Sequence, residues 1–356
     1  MDVDASASTR SSHIGGGWVG LLGTVLIGLF LRWYLAGVSL SLPTGTTVAH
    51  LRHAHSHLGY YAVLVPLVWL AWESGSGRRV LRRWERWLYG TATIVATIGF
   101  VRAGYGVLGI AGSTIVGTVW MVAGWRIARH TREADHPLVV VFPGTLLALA
   151  CIPLIAGSLR TDPAFAAAAV QSFLTLMLFL VVAPGGLAAL GVRQRWTWGS
   201  LVTGALAALA LGLWSSTASR IGLALHAIFW LDAARRMAAP VFALPWWAAG
   251  LGLLAVAAGA IPLTHDVAIG ALHFLILGPL LSALARDRFT PALAPNTWWW
   301  HHAAVLLLCA PLLLRGITAT GRSAGIASAI GGTAVVAWWL AVLARRRAVP
   351  PAPNSA

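Results

Sequence analysis

Apolar runs of about 18–25 residues recur along the whole length of this chain, the length a helix needs to cross the hydrocarbon core of a bilayer. Hydrophobic residues make up 58% of the sequence and charged ones only 10%, with a mean hydropathy of +0.77, so a soluble core would be left almost without polar surface. The expected fold is all-α, a polytopic membrane bundle of about twelve transmembrane helices in contact with the lipid bilayer. The spans fall near 17–38, 47–72, 87–106, 111–128, 138–158, 164–191, 198–216, 219–235, 245–263, 265–285, 298–315 and 324–344.

Charge orients these spans. All 25 basic residues are arginine, and they gather at alternate helix ends. Arg78, Arg79, Arg82, Arg83 and Arg86 follow the second span, Arg126, Arg129 and Arg132 the fourth, and Arg193 and Arg195 the sixth. Arg235 and Arg236 follow the eighth, Arg286 and Arg288 the tenth, and Arg345 to Arg347 the twelfth. The opposite loops carry only Arg160, Arg220, Arg315 and Arg322. Positive-inside sorting then places both termini in the cytoplasm, with a bacterial inner (plasma) membrane as the location. The net charge of +15 follows from the same sorting; no basic nucleic-acid module is present, and no nucleic-acid partner is expected.

Residues 1–16 are polar and Ser-rich with no basic start, and they read as a disordered cytoplasmic tail and not a signal peptide. Residues 17–345 form one twelve-helix domain, and 346–356 a second cytoplasmic tail. No sequence repeat stands out, and hydropathy fits six plus six helices as well as three groups of four. Cys151 and Cys309 sit in apolar segments without a CxxC spacing and read as packing thiols.

Histidine is the chemically informative residue. In the stretch His50-Leu51-Arg52-His53-Ala54-His55-Ser56-His57, helical phase puts His50, His53 and His57 on one face and His55 nearly opposite. The orientation places these residues in the outer third of the membrane with His226, His265 and His273 from two further helices. Ionisable groups at such depth are costly unless something binds them, and imidazole is the common ligand of haem iron, copper and zinc. The metal candidates are therefore His50, His53, His57, His226, His265 and His273, with His55 in an interfacial or outer-sphere role. Haem suits a bundle of apolar helices, and its propionates need cations. Of the arginines near that surface, Arg102 stands out because it lies inside the third span beside Tyr105. Pro66 is expected to kink the second span, and Gly59 to allow a helix or macrocycle to approach closely.

The remaining histidines read differently. His301 and His302 follow Trp298-Trp299-Trp300 and are expected as interfacial residues of an aromatic belt. His13, His130 and His136 are given no role. Glu73, Asp232 and Asp266 lie at span edges, so a proton or cation path built on buried carboxylates has no residues to use. No Gly-rich phosphate loop, GxSxG or HExxH is present.

Twelve helices with histidines at the outer end of helix two and on helix ten resemble subunit I of the haem-copper oxidase and nitric oxide reductase superfamily. The segment His53-Ala54-His55-Ser56-His57-Leu58-Gly59-Tyr60-Tyr61 is similar to the His-Ala-His stretch of NnrS-type haem and copper proteins. The helix His265-Asp266-Val267-Ala268-Ile269-Gly270-Ala271-Leu272-His273 resembles the histidine helix of that group. The resemblance implies axial haem ligation by His53 or His57 together with His273, and propionate binding by Arg315 and Arg322. It implies haem, b-type, as cofactor with copper as a second metal, and a small diatomic molecule or a metal ion as ligand. A role in nitric oxide or redox-stress metabolism goes with it. The sequence departs from an oxidase where Gln171 is the polar residue of span six and Trp214-Ser215-Ser216 ends span seven, without copper-ligating histidines. A proton-pumping oxidase is therefore not expected. A metal transporter or a haem-binding assembly protein using the same histidines is the alternative.

Overall fold

A computed structural model describes residues 4–348 apart from 43, 132, 214–215, 263, 287–292 and 319–320. It is 84% helical, and no strand occurs among the described residues, so the class is all-α. The helices are labelled in chain order. α1 is Asp4–Leu35; its helix reaches back through residues 4–16, ahead of the expected start at 17. α2 is Val48–Leu58, continued through a π turn Gly59–Leu64 into Val65–Ser76. α3 is Arg83–Ala103 and α4 Val107–His130. α5 opens with the 3-10 turn Pro137–Val140 and runs Val141–Ser158. α6 is Pro163–Met177, a π turn Leu178–Val182, and Ala183–Ala189. α7 is Thr197–Leu213, α8 Ser216–Arg235 and α9 Pro240–Ala257. α10 is His265–Leu275, a π turn Ile276–Leu280, and Leu281–Ala285. α11 is Trp298–Thr318 and α12 Arg322–Ala348.

Among the described residues, eight of these helices are long and apolar enough to cross a membrane: α1, α4, α5, α6, α9, α10, α11 and α12. The other four fall short for local reasons. α2 carries four histidines with Arg52 and Glu73, α3 opens on Arg83, Glu85 and Arg86, α8 holds Arg220 and Asp232, and α7 has 17 residues.

Helices adjacent in sequence pack side by side, and α12 returns to α1, closing a ring. Inside it, the C-terminal halves of α2, α6 and α10, which lead to the arginine-rich loops, meet one another. A Cβ on Gly185 of α6 would come within 2.4 Å of the Val68 side chain on α2, so only glycine permits that approach. The second helix of each successive group of four is therefore the central one, and the bundle is three groups of four, not six plus six.

These three central helices share one irregularity with one cause. Each carries a π turn, and each has a proline at or just after it: Pro66, Pro184 and Pro279. Proline offers no N–H and crowds the carbonyl four residues back; a widened turn absorbs both defects without a sharp kink. The carbonyls this loosens find side-chain donors. Tyr89 of α3 donates its hydroxyl to the Tyr61 carbonyl at 2.5 Å, and the His301 ring of α11 donates from Nε2 to the Leu277 carbonyl at 2.9 Å.

At the arginine-rich end, Glu85 ties the loop before α3 to α4. Arg126 donates to both carboxylate oxygens, at 2.5 and 2.7 Å, and to the Val80 carbonyl at 2.8 Å. The Arg82 backbone N–H also donates to Glu85, at 2.7 Å. The Arg126 hydrogen bonds, ahead of the opposing effect of burial, hold the Glu85 carboxyl below its ordinary pKa.

Candidate functional site

The first stretch of α2 presents two chemically different faces. The His57 ring lies flat on Phe100 of α3, with centroids 4.1 Å apart and planes within 2°. The His53 ring is 4.6 Å from Tyr105, and His57 Nε2 is 3.3 Å from the Tyr105 hydroxyl. The turn after α3 reaches the same face: a Cβ on Gly104, whose φ is +56°, would stand 3.1 Å from His50 Cδ2. His50, His53 and His57 thus share a face, as helical phase requires, and that face is filled by aromatic rings and the α3–α4 turn.

His55 points the other way, into an apolar cavity of about 130 Å³ bounded by α1, α2 and α10 to α12. Its walls include Leu21, Val25, Leu272, Ile276, Val335 and Val336. α1 approaches His55 closely enough that a Cβ on Gly28 would fall 2.7 Å from His55 Cε1. The His55 Nδ1 donates to the Thr24 carbonyl of α1 at 2.9 Å. Across the cavity, His273 of α10 donates from Nδ1 to the Ile269 carbonyl, one turn back, at 2.8 Å. With Nδ1 committed to a carbonyl, Nε2 of each ring is an acceptor, and at His273 it faces an N–H of Arg32. The two rings lie 6.1 Å apart between centroids with planes within 11°.

The pair is fixed in tautomer and orientation: each ring donates one nitrogen to a backbone carbonyl, and the rings stack nearly parallel. Arg32 of α1 also enters the cavity, its Nη2 3.3 and 3.4 Å from the two ring nitrogens of His273. A guanidinium held among aliphatic walls favours an anion beside it.

The other residues singled out in the sequence scatter. His53 and His57 lie on the α3 side of α2, so the pairing of either with His273 is replaced by that of His55. His226 of α8 is 2% exposed, with its ring 4.3 Å from Phe179 and Nδ1 3.3 Å from the Thr203 hydroxyl. It belongs to the wall between α6, α7 and α8. His265 opens α10, and its side chain lies outside the described residues. Among the described residues no group of three or more His, Cys, Asp or Glu side chains gathers to hold a metal ion. Arg102 is exposed on α3 and does not turn inward. Arg315 pairs with Asp266 at 3.2 Å, and Arg322 donates to the Gly37 carbonyl at 3.4 Å. Both stand on helices that line the cavity.

His301 and His302 are buried against neighbouring helices and do not face outward. They are 0% and 6% exposed, and the His301 ring packs 4.8 Å from Trp338 and 5.6 Å from both Trp298 and Trp339. The π turn in α10 accounts for His301, because the Leu277 carbonyl needs a donor. His136 caps the turn before α5, accepting the Leu138 N–H at 3.2 Å; burial first, then the Arg193 charge, lowers its pKa.

Three residues of the cavity escape a reading of the histidines by their number on a face: His55, Arg32 and Gly28. The available signal was the spacing of Gly28 and Arg32 on one side of α1, but its meaning depends on which helix lies opposite. No family model matches the chain, and no curated protein matches it.

Proposed function

We propose that the chain is a haem-binding redox protein of the inner membrane, crossing it twelve times with both termini in the cytoplasm. The observation that carries this reading is the pair His55 and His273, each with Nδ1 fixed to a backbone carbonyl, beside one apolar cavity. The histidine stretch and the histidine helix that resemble NnrS-type and oxidase-like proteins supply these two imidazoles, which extends the resemblance to function.

A haem bound here would supply one-electron storage and transfer. The protein's own residues do the rest. His55 and His273 present neutral imidazole nitrogens from opposite sides, and the Thr24 and Ile269 carbonyls keep those rings from turning. Leu21, Val25, Leu272 and Ile276 exclude water. Arg32 places a positive charge beside His273, suited to a propionate carboxylate, and Arg315 and Arg322 add charge at the same end of α11 and α12. His55 and His273 would hold the haem, and one-electron transfer in nitric oxide or redox-stress metabolism is the chemistry it would supply. Copper has no comparable ligand set among the described residues.

The test is the haem stoichiometry of the purified protein, by pyridine haemochrome and iron analysis, with low-temperature EPR for the ligand field. One b-type haem per chain with a low-spin bis-imidazole signal is expected. Iron-free protein that takes up metal ions into vesicles would replace this reading with a transporter.

A further inference from the structure

The face of α2 turned away from the cavity holds a second feature, independent of haem. Four of the five tyrosines in the chain, Tyr60, Tyr61, Tyr89 and Tyr105, lie on α2, α3 and the turn after α3. Tyr61, Tyr89, Trp120 and Trp69 are all buried, and they follow one another along α2 in unbroken contact. Tyr105 meets His57 with 3.3 Å between its hydroxyl and Nε2. The His57 ring is 5.2 Å from Tyr61, and Tyr61 is 5.3 Å from Trp120 of α4. The Trp120 indole N–H donates to the Tyr89 hydroxyl at 3.1 Å, and the Tyr89 ring is 4.9 Å from Trp69. From His53 to Trp69 the helix rises about 24 Å, most of the roughly 30 Å thickness of a bilayer core.

Packing alone does not call for this composition. Leucine and phenylalanine fill a lipid-embedded wall without hydroxyls that must find partners. The proton contacts are also differentiated. Tyr89 donates to a carbonyl, the Tyr61 carbonyl, which cannot take its proton away. Tyr105 alone has a base within reach, His57. Phenol oxidation is easy only where the proton has somewhere to go, whereas an indole can lose an electron and keep its N–H.

We propose that this wall conducts single electrons along α2, from a one-electron reductant at the arginine-rich end to a one-electron oxidant at the histidine-bearing end. Tyr105 gives one electron to the oxidant, and its O–H proton passes to His57 Nε2. An electron from Trp120 refills Tyr105, and the proton returns from His57. Trp69 refills Trp120 and is itself refilled by the reductant. Tyr61 and Tyr89 bridge the carriers. The net change is one electron moved from reductant to oxidant, with no proton consumed.

The test uses the full chain reconstituted in vesicles enclosing ascorbate, with hexachloroiridate(IV) added outside. Wild-type vesicles are expected to reduce the iridate several-fold faster than protein-free ones, and Tyr105→Phe and Trp120→Phe to fall to the protein-free rate. Freeze-quenched EPR should show a tyrosyl radical accumulating in Trp120→Phe and absent from Tyr105→Phe. Because Trp120 is buried, Trp69→Phe serves as a second break in the chain, leaving Trp120 oxidised and giving a tryptophanyl radical in place of the tyrosyl one. Trp300→Phe, at an exposed tryptophan outside this wall, should leave the rate unchanged. Wild-type rates in Tyr105→Phe, no radical in Trp120→Phe or Trp69→Phe, or loss of the rate in Trp300→Phe would each overturn the proposal.

Discussion

Two residues, just over half a helical turn, separate His55 from His57, and the two have opposite surroundings. His57 is clamped between Phe100 and Tyr105, while His55 faces the cavity with its Nδ1 held by α1. His55→Ala should therefore abolish haem binding, whereas His57→Ala should keep it; haem per chain after affinity purification measures both. Gly28 sharpens the point, since a Cβ there meets the His55 ring at 2.7 Å. Gly28→Val should leave a folded protein with weakened or lost haem, read from the same ratio. The face-sharing of His50, His53 and His57 was legible in the sequence because it depends on helical phase alone. That His55 is the one facing the cavity was not, because it depends on whether α1 or α3 lies against each face of α2.

The three π turns set the behaviour of the central helices. Tyr89→Phe removes the donor to the Tyr61 carbonyl and the acceptor of the Trp120 N–H, which should cost about 1–3 kcal/mol of stability. Unfolding midpoints in detergent check this. Glu85 acts at the other end of α3. Glu85→Gln leaves the Arg126 guanidinium without its carboxylate, a loss of about 3 kcal/mol for a largely buried pair. Because the Glu85 pKa is depressed in the fold, its contribution is present above the unfolded carboxylate value of about 4.3 and is lost as pH falls through the folded value. Wild-type stability should drop over that acidic range, and the Glu85→Gln variant should lack this component. Pro66 marked an irregularity in α2 from sequence; that it is one of three matching turns shows only when α2, α6 and α10 are seen to share the centre.

For the molecule as a whole, apolar run length was enough to identify an all-helical membrane bundle, and eight helices meet the requirement for crossing. Hydropathy could not separate three groups of four from six plus six, because glycine contacts such as Gly185 against Val68 determine which helices meet inside. Twelve crossings with both termini inside predict that single cysteines placed in the Arg78–Arg86 loop are shielded from impermeant maleimide in intact cells, and that one at Arg160 is labelled. The central claim is a haem held between α2 and α10, and the most direct measurement is the oxidised and dithionite-reduced absorption spectrum of purified wild type, His55→Ala, His273→Ala and His57→Ala. The account predicts a sharp reduced α band in wild type and His57→Ala, and its loss in His55→Ala and His273→Ala. A wild type without a Soret band, or a spectrum lost in His57→Ala and kept in His55→Ala, would contradict it.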